Sequence, residues 1–419
     1  MPFLTWVRRL PLPLRVAVPI LILVVAAGAA AAALSNGHRP AAHATASPSP
    51  SQAEPALATP TPSESPSPEP APSPTPAATV APAPATSRPA STGCGSPSGG
   101  FPGTQLAAST PVALAWSPDG RLFWAERSGA VKVFEGGTVH TFATVSTVTT
   151  ESGGGYSERG LLGLAISGTY VFAMYSNTDY ATQTIIRWTD CGGAASGATI
   201  IASGLPAGSD CCHKGGRLAV SPDGHLFATI GDNHDSAAAQ APGDLRGKVT
   251  RFNLDGSGRE IWTSGLRNPF GIAFAPDGTL GITNNGPSGD AGTPCGSCGD
   301  EFDRVGRAAG VVYEWPTCWG YDHPFGNSGS CRGAGPGYST EGGPHAKGNP
   351  YFVAPTGVTW STNEYAGHFL FCAYSTQHLY EYNGPRSVSD TGVSGCRYDV
   401  KQGPDGALYI STDGAIYRH

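Results

Sequence analysis

The sequence predicts an all-β protein, a six-bladed β-propeller that follows an N-terminal export segment and a disordered proline-rich linker. Three observations lead to this prediction. One strand–turn–strand pattern recurs along the chain, and the segments between its copies are short apolar runs rich in glycine with no long helical period. The composition also changes abruptly near residue 92, which separates the folded part from what precedes it.

The first 38 residues have the pattern of a signal or anchor segment. Arg8, Arg9 and Arg15 precede residues 16–34, a stretch without charged residues that is long enough to cross a bilayer. The basic flank predicts a cytoplasmic N-terminus. Residues 1–38 are therefore expected to direct export, and the sequence leaves open whether the protein stays anchored to the membrane or is secreted after cleavage.

Residues 39–92 are dominated by Pro, Ser, Ala and Thr, a composition that cannot bury a core. We expect a semi-rigid, extended spacer. All 10 cysteines follow it, from Cys94 to Cys396, which predicts an oxidising compartment and a disulfide framework. Cys295 and Cys298 lack the second cysteine pair of a zinc site, so a disulfide is the favoured interpretation there.

The charge pattern excludes some classes of partner. The net charge is -6, only 13% of residues are charged, and no basic block follows the N-terminal segment. These features argue against a nucleic-acid partner, and they favour a small or neutral ligand. Contact with a membrane is expected only through the N-terminal segment.

The propeller prediction for residues 93–419 rests on repeated tight turns. In each turn Pro presets the first dihedral angle, Asp caps the turn and Gly takes the left-handed position. With two weaker copies, the spacing gives about six units of roughly 50 residues, the length of a propeller blade. The alternative is a sandwich of unrelated hairpins. The four clear copies and the two weaker ones lie at 117–120, 221–224, 275–278, 403–406, 166–172 and 364–370.

A histidine and an acid flank the second clear turn. The hairpin would bring His213 and Asp232 to the same end of neighbouring strands, where a carboxylate can orient an imidazole for general-base work. Arg267 occupies the equivalent place in the next unit and could hold a developing oxyanion. The structural alternatives are a loop histidine and an Arg267–Asn268 pair that satisfies backbone carbonyls between blades.

A third cluster combines glycine-rich sequence with acids. Asn284, Asn285, Gly286 and Pro287 are followed by the acidic pair at 300–301. Carboxylates and backbone carbonyls are suitable ligands for Ca²⁺, although no EF-hand loop is present. The alternative is an acidic loop in solvent.

Together these motifs resemble those of the soluble glucose dehydrogenases that depend on pyrroloquinoline quinone (PQQ), and of the wider glucose/sorbosone dehydrogenase family of six-bladed propellers. The resemblance covers most of residues 101–419. It rests on ERGLLGL at 158–164, HKGGRL at 213–218, IGD at 230–232, GLRNP at 265–269, GP at 286–287 and DE at 300–301.

The resemblance implies an oxidoreductase that oxidises an aldose or related sugar with PQQ and Ca²⁺ and passes electrons to an external acceptor. His213 would be the catalytic base and Asp232 its orienting acid, with Arg267 as the electrostatic stabiliser. The implied cofactor-binding residues are Glu158, Arg267, Asn268 and Arg397. The implied metal ligands are the carbonyls of Gly286 and Pro287 for the cofactor's Ca²⁺, and Asp300 and Glu301 for a structural calcium.

The chain also departs from the family pattern. The fifth-blade region, residues 372–378, lacks the lysine that holds the quinone's carboxylates, and Arg397 is the single arginine before the last turn. Glu158 stands where the family often has glutamine. These departures leave a second interpretation open, in which the protein is a non-catalytic, calcium-stabilised cell-surface binding propeller that has lost quinone binding. A calcium-dependent lactone hydrolase is a further alternative, but the sequence shows no clear set of carboxylates for it.

Overall fold

The computed structural model describes residues 99–101, 103–287, 299–321, 323–324, 331–340 and 354–419. The predictions for residues 1–38 and 39–92, and for Cys94, Cys295 and Cys298, lie outside these ranges. Within them, no helix is both long and apolar enough to cross a membrane. The one helical element of this described part is a short 3-10 turn at Ser236–Ala239.

The first half of the propeller holds the N-terminal strand and blades 1 to 3. Blades 1 and 2 are four-stranded antiparallel sheets, and blade 3 gains a fifth, parallel strand from later in the chain. The strands are β1 (Gln105–Ala107); β2 (Pro111–Trp116), β3 (Leu122–Glu126), β4 (Ala130–Glu135) and β5 (Thr138–Thr144) in blade 1; β6 (Leu161–Ser167), β7 (Tyr170–Ser176), β8 (Thr182–Cys191) and β9 (Ala194–Pro206) in blade 2; and β10 (Leu218–Val220), β11 (Leu226–Ile230), β12 (Lys248–Phe252) and β13 (Glu260–Ser264) in blade 3.

The second half contains blades 4 to 6 and a small two-stranded sheet. The fifth strand of blade 3 is β17, and the small sheet pairs β18 with β19. The strands are β14 (Asn268–Phe274), β15 (Leu280–Asn285), β16 (Glu301–Val305), β17 (Val311–Val312), β18 (Cys318–Trp319), β19 (His323–Pro324) and β20 (Tyr338–Ser339), with β14, β15, β16 and β20 forming blade 4; β21 (Pro355–Trp360), β22 (Phe369–Ala373), β23 (His378–Gly384) and β24 (Ser387–Ser394) in blade 5; and β25 (Val400–Gln402), β26 (Leu408–Ser411) and β27 (Ala415–Arg418) in blade 6.

The prediction of a six-bladed all-β propeller is confirmed. Each repeated turn, including the two weaker copies, joins the first and second strands of one blade. The turn of blade 3 shows why the pattern recurs. Its Gly224 has a φ of 86° and donates its backbone N–H to the carbonyl of Ser221, while the Asp223 side chain accepts from the Ser221 hydroxyl.

Two features close the ring. The first strands of successive blades contact one another, and β25 of the last blade contacts β2 of the first. The N-terminal strand β1 then completes blade 6 by pairing antiparallel with the C-terminal β27, with Leu106 opposite Ile416. Apolar side chains fill each of the six gaps between neighbouring blades, so the core is a circle of six clusters. This packing fixes the loops at the mouth of the ring.

Gly231 is required for close approach of two loops in blade 3. A Cβ built on it would lie 2.0 Å from the carbonyl oxygen of His213. We expect Gly231→Ala to separate the two loops and to lower the free energy of unfolding by about 1–3 kcal/mol, as overpacking does. Urea unfolding measures this loss. Gly414→Ala is the control, because a Cβ there meets no atom within 4 Å; equal stability of the two variants would contradict the prediction.

Candidate active site

The predicted base and its acid meet in blade 3. His213 lies just before β10 and Asp232 just after β11, and these strands pair in the register Leu218 to Ala228. The His213 Nδ1–H donates to Asp232 Oδ1 at 2.6 Å. Both side chains are buried, with His213 5% and Asp232 0% exposed. The hairpin register therefore produces the juxtaposition that the sequence predicted.

The second oxygen of Asp232 is held by a tryptophan from a distant segment. Trp315 Nε1–H donates to Asp232 Oδ2 at 2.7 Å. The Arg267 guanidinium lies over the Trp315 ring, 5.7 Å from the ring centroid. Asp232 is thus fixed from both sides, and Arg267 is placed close to the buried pair.

Arg267 and Asn268 connect blade 4 to residues 211–217, the base loop, which carries the predicted base His213 and precedes β10. The Arg267 Nη1 donates to the carbonyl of Asn285 at 2.9 Å, so the structural alternative, a contact with a backbone carbonyl, is also present. The Asn268 amide donates to Glu158 Oε2 at 3.4 Å and accepts from the Gly215 N–H at 3.2 Å. The structure therefore brings Glu158, Arg267 and Asn268 together around the His213 loop.

Burial controls the protonation of His213. Removal from water lowers the pKa of His213 below its ordinary value, the Asp232 hydrogen bond opposes this shift, and the nearby Arg267 charge adds to it. A lowered pKa leaves the imidazole neutral at pH 7. Because the ring proton is on Nδ1, where it forms the hydrogen bond to Asp232, the neutral ring has its lone pair on Nε2.

A cavity of about 100 Å³ lies at the mouth of the ring. Glu158, Tyr156, Arg127 and Arg217 are among its lining residues. Arg127 donates to the carbonyls of residues 149, 157 and 159, and Arg217 forms an ion pair with the Asp399 carboxylate at 3.5 Å. Cationic side chains thus line a cavity that adjoins the Glu158–Asn268 contact.

Gly286, Asp300 and Glu301 lie together at the end of β15 and the start of β16. Both Asp300 oxygens accept backbone N–H groups, from Gly286 at 2.7 Å and Ala354 at 2.9 Å. Glu301 accepts the Gly320 N–H at 2.8 Å and the side-chain amide of Asn284 at 3.2 Å. Burial raises the pKa of both acids. Pro287 is buried beside them, and calcium binding by these residues stays a prediction.

Three disulfides occur within the described ranges: Cys211–Cys212, Cys318–Cys331 and Cys372–Cys396. The first joins neighbouring residues directly before His213. The carbonyl of Cys211 accepts from the Glu158 N–H at 2.8 Å and from the Ser157 hydroxyl at 3.1 Å. The backbone carbonyl of Cys211, next to this disulfide, therefore connects the base loop to the loop that carries Glu158.

Residues 108–418 match the model of the glucose/sorbosone dehydrogenase family. The chain belongs to this family. It is 28% identical over 327 residues to quinoprotein glucose dehydrogenase B of Acinetobacter calcoaceticus, covering 66% of this chain and 64% of the relative. It is 27% identical over 234 residues to aldose sugar dehydrogenase YliI of Escherichia coli, covering 50% of this chain and 59% of the relative. The chain thus spans about three fifths of the length of these relatives.

Solved structures agree with the fold of this family member. A glucose dehydrogenase-like oxidoreductase from Thermus thermophilus has a TM-score of 0.60 and 26% identity, covering 75% of this chain and 99% of the other. The soluble aldose sugar dehydrogenase of Escherichia coli has a TM-score of 0.56 and 21% identity, with coverage of 75% and 99%. The second similarity concerns the fold alone.

Arg397, the predicted cofactor contact before the last turn, lies between two tyrosines in this glucose/sorbosone dehydrogenase family member. Its guanidinium is 4.2 Å from the ring centroid of Tyr374 and 5.5 Å from that of Tyr398, both of which line the cavity. It also pairs with the Asp413 carboxylate. Arg397 is thus at the cavity rim, held by groups of blades 5 and 6, whereas Glu158, Arg267 and Asn268 surround the His213 loop.

Sequence reasoning missed several residues around the site. Their positions depend on which loops cross the mouth of the ring, and no local pattern marks them. The one visible signal was the His234 side chain, two residues after Asp232, in a run of polar residues. The sequence predicted no role at the site for Arg127, Tyr156, Arg217, His234, Trp315, Tyr374 and Tyr398.

The Trp315 hydrogen bond should control the basicity of His213. We expect Trp315→Phe to leave one Asp232 oxygen without its donor. The carboxylate then stabilises a protonated His213 ring more strongly, so the pKa of His213 rises. The loss of stability should be about 1–3 kcal/mol. NMR titration of the His213 ring measures the pKa.

Trp319→Phe is the matched control for this substitution. Trp319 is similarly buried, and its Nε1–H donates to the Gly299 carbonyl at 2.6 Å without contacting Asp232. We expect a comparable loss of stability with an unchanged His213 pKa. An equal pKa shift in both variants would show that the shift reflects general loosening of the loop.

Proposed function

We propose that this protein is a quinoprotein dehydrogenase that oxidises an aldose or related sugar, with PQQ as the hydride acceptor and Ca²⁺ as the cofactor's metal. The observation that carries the proposal is the buried His213–Asp232 pair near Arg267, which Asn268 connects through Glu158 to a cavity lined by Arg127 and Arg217. The family to which the chain belongs, and the quinoprotein among its relatives, support the same activity.

The donors around the cavity fit an anionic, planar cofactor. The Nε atoms of Arg217 and Arg397 are buried and have no hydrogen-bond partner within the described part of the chain. A buried donor without a partner costs free energy, which a carboxylate of the quinone would recover. Tyr374 and Tyr398 supply flat apolar faces at the same rim. We assign Glu158, Arg267, Asn268 and Arg397 as the residues that would hold the quinone.

The chain's own residues account for the proton chemistry. The sugar's anomeric hydroxyl would lose its proton to the lone pair on His213 Nε2 as the anomeric C–H bond gives up a hydride. When bound, PQQ supplies the electrophile that accepts this hydride. Asp232 holds the ring and stabilises its charged form, and Arg267 stabilises negative charge that develops nearby. The products are a lactone, one proton on His213 and one hydride, that is two electrons and a proton, on the oxidant.

Calcium completes the proposal. The carbonyls of Gly286 and Pro287 are hard oxygen donors of the kind that Ca²⁺ prefers, and they would hold the cofactor's metal. Asp300 and Glu301 would serve a separate structural calcium. Each of these carboxylate oxygens already accepts one hydrogen bond and keeps a second lone pair for a metal.

The propeller is proposed to act outside the cytoplasm, tethered through residues 1–38 and the linker at 39–92 or secreted after cleavage. The three disulfides support this proposal because such bonds persist in oxidising compartments. The electrons would pass to an external acceptor, and the charge pattern gives no reason to expect nucleic acid as a partner.

A non-catalytic binding propeller is the second candidate, and specific features favour it. Arg397 is already paired with Asp413, and Glu158 adds negative charge where an anionic cofactor would lie. Each lost charge-assisted hydrogen bond would weaken quinone binding by about 1.5–3 kcal/mol. Quinone affinity therefore decides between the two candidates.

The test is titration of the purified apoprotein with PQQ in the presence of Ca²⁺, followed by dye reduction with a panel of aldoses. We expect saturable micromolar binding and turnover by the wild type. His213→Gln should bind the quinone but fail to reduce the dye, because the base is lost. Arg397→Gln should bind about tenfold more weakly, since it loses one charge-assisted contact.

Arg259→Gln is the control, because Arg259 is exposed on the outer part of blade 3. It should bind and turn over like the wild type. Absence of quinone uptake at micromolar concentration would overturn the dehydrogenase proposal and favour the binding propeller. Dye reduction by His213→Gln at the wild-type rate would remove His213 from the role of base.

A further inference from the structure

The nitrogen that should act as base is already in contact with a second histidine. His213 Nε2 lies 3.2 Å from His234 Nε2, and the two rings meet edge to face with centroids 4.0 Å apart. On its other side, His234 Nδ1 lies 2.9 Å from Asp210 Oδ2. The four side chains form a continuous chain in the order Asp232, His213, His234, Asp210.

Local backbone geometry builds this contact. His213 and His234 have φ values of 57° and 63°, in the left-handed region that residues other than glycine seldom adopt. The backbone N–H of His234 donates to Asp232 Oδ1 at 3.0 Å. The same carboxylate that orients the base therefore also fixes the turn that directs His234 onto it.

The number of protons in the chain follows from its hydrogen bonds. Three contacts join the four side chains, and each needs one proton between two acceptor atoms. With both aspartates ionised, two neutral imidazoles supply only two N–H protons, so filling all three contacts requires one ring to be an imidazolium. His213 is buried, whereas the side chains of His234 and Asp210 are 34% and 46% exposed. The charge is therefore better accommodated on His234, where water and Asp210 stabilise it.

We propose that His234 and Asp210 form a proton-exit relay for His213, which carries the proton taken from the substrate out to solvent. The inference rests on the proposed dehydrogenase function. In the resting state the His234 N–H covers the lone pair of His213. The substrate hydroxyl displaces the His234 N–H from this lone pair. His213 then gains a proton as the substrate O–H bond breaks, and the hydride goes to the quinone oxidant.

The return step balances the protons. With His213 now cationic, two positive rings lie close together, and the displaced His234 releases its Nε2 proton to solvent while it keeps the Nδ1–H that donates to Asp210. It returns as a neutral ring, accepts the proton from His213 Nε2, and restores the resting arrangement. One proton leaves for each sugar oxidised. His234 is thus a relay residue that acts through His213.

Other charged groups around the two rings set the direction of this transfer. Arg267 disfavours a proton on His213, and Asp232 and Glu158 favour one. Asp210 is the acid that contacts His234. Transfer from the buried ring to the exposed ring therefore moves positive charge away from Arg267 and toward Asp210 and water.

The experiment compares His234→Gln with the wild type in the PQQ-loaded enzyme. Glutamine keeps a hydrogen-bonding amide but cannot carry a proton. We expect kcat to fall about a hundredfold at low buffer concentration, the lower end of the contribution of a positioned proton-transfer group, with little change in KM. Added imidazole should restore most of the loss. Asp210→Asn should show a smaller decrease in the same direction.

His378→Gln is the matched control. His378 Nδ1 lies 2.7 Å from Asp390 Oδ2, an exposed histidine–aspartate pair like that of His234 and Asp210, but in blade 5 and outside the base loop. It should leave kcat and its dependence on buffer unchanged. A His234→Gln enzyme with wild-type kcat at every buffer concentration would overturn the relay.

A second readout does not depend on turnover. NMR titration of the ring nitrogens in the apoprotein should show His213 and His234 titrating as a coupled pair in two steps, and His213 alone in one step in His234→Gln. Independent titration of the two rings would overturn the relay. If the protein never reduces dye but the rings are coupled, the proposed function fails while the proton chain stands.

Discussion

The buried hydrogen bond between His213 and Asp232 is the interaction on which the rest of the site depends. Asp232 is fully buried, and a buried carboxylate requires donors on each oxygen. It receives them from His213, from the indole of Trp315 and from the backbone of His234. One carboxylate thereby holds together the base loop, the turn after β11 and a segment 83 residues away in sequence.

The sequence was sufficient to predict which site residues lie together where a local rule, such as hairpin register, determines their positions. The hairpin register placed His213 beside Asp232, and the repeat placed Arg267 at the equivalent position of the next blade. Trp315, Arg127 and the Cys211–Cys212 bond could not be predicted in the same way. The first two reach the site across the mouth of the ring, and the pairing of ten cysteines is not encoded by their spacing.

Two opposing charge patterns meet at the mouth of the propeller in this glucose/sorbosone dehydrogenase family member. Arg127 and Arg217 line the cavity, and Arg397 stacks on Tyr374 at its edge, whereas Glu158 adds a negative charge to the same lining. Glu158 is also bound to the Asn268 amide and to the Lys214 N–H. It therefore contributes to the shape of the base loop, and this role accounts for an acid among the residues that line the cavity.

The most direct test of a base oriented by Asp232 is the pH dependence of single-turnover sugar oxidation in the wild type and in Asp232→Asn. Burial lowers the pKa of His213, so the wild-type rate should be constant at neutral pH and should fall only as the pH drops below the ordinary titration range of a histidine. Asp232→Asn removes the group that raises this pKa. In this variant the fall in rate should begin at a still lower pH, and the maximal rate should be at least about a hundredfold lower. An unchanged maximal rate and an unchanged pH dependence would contradict the account.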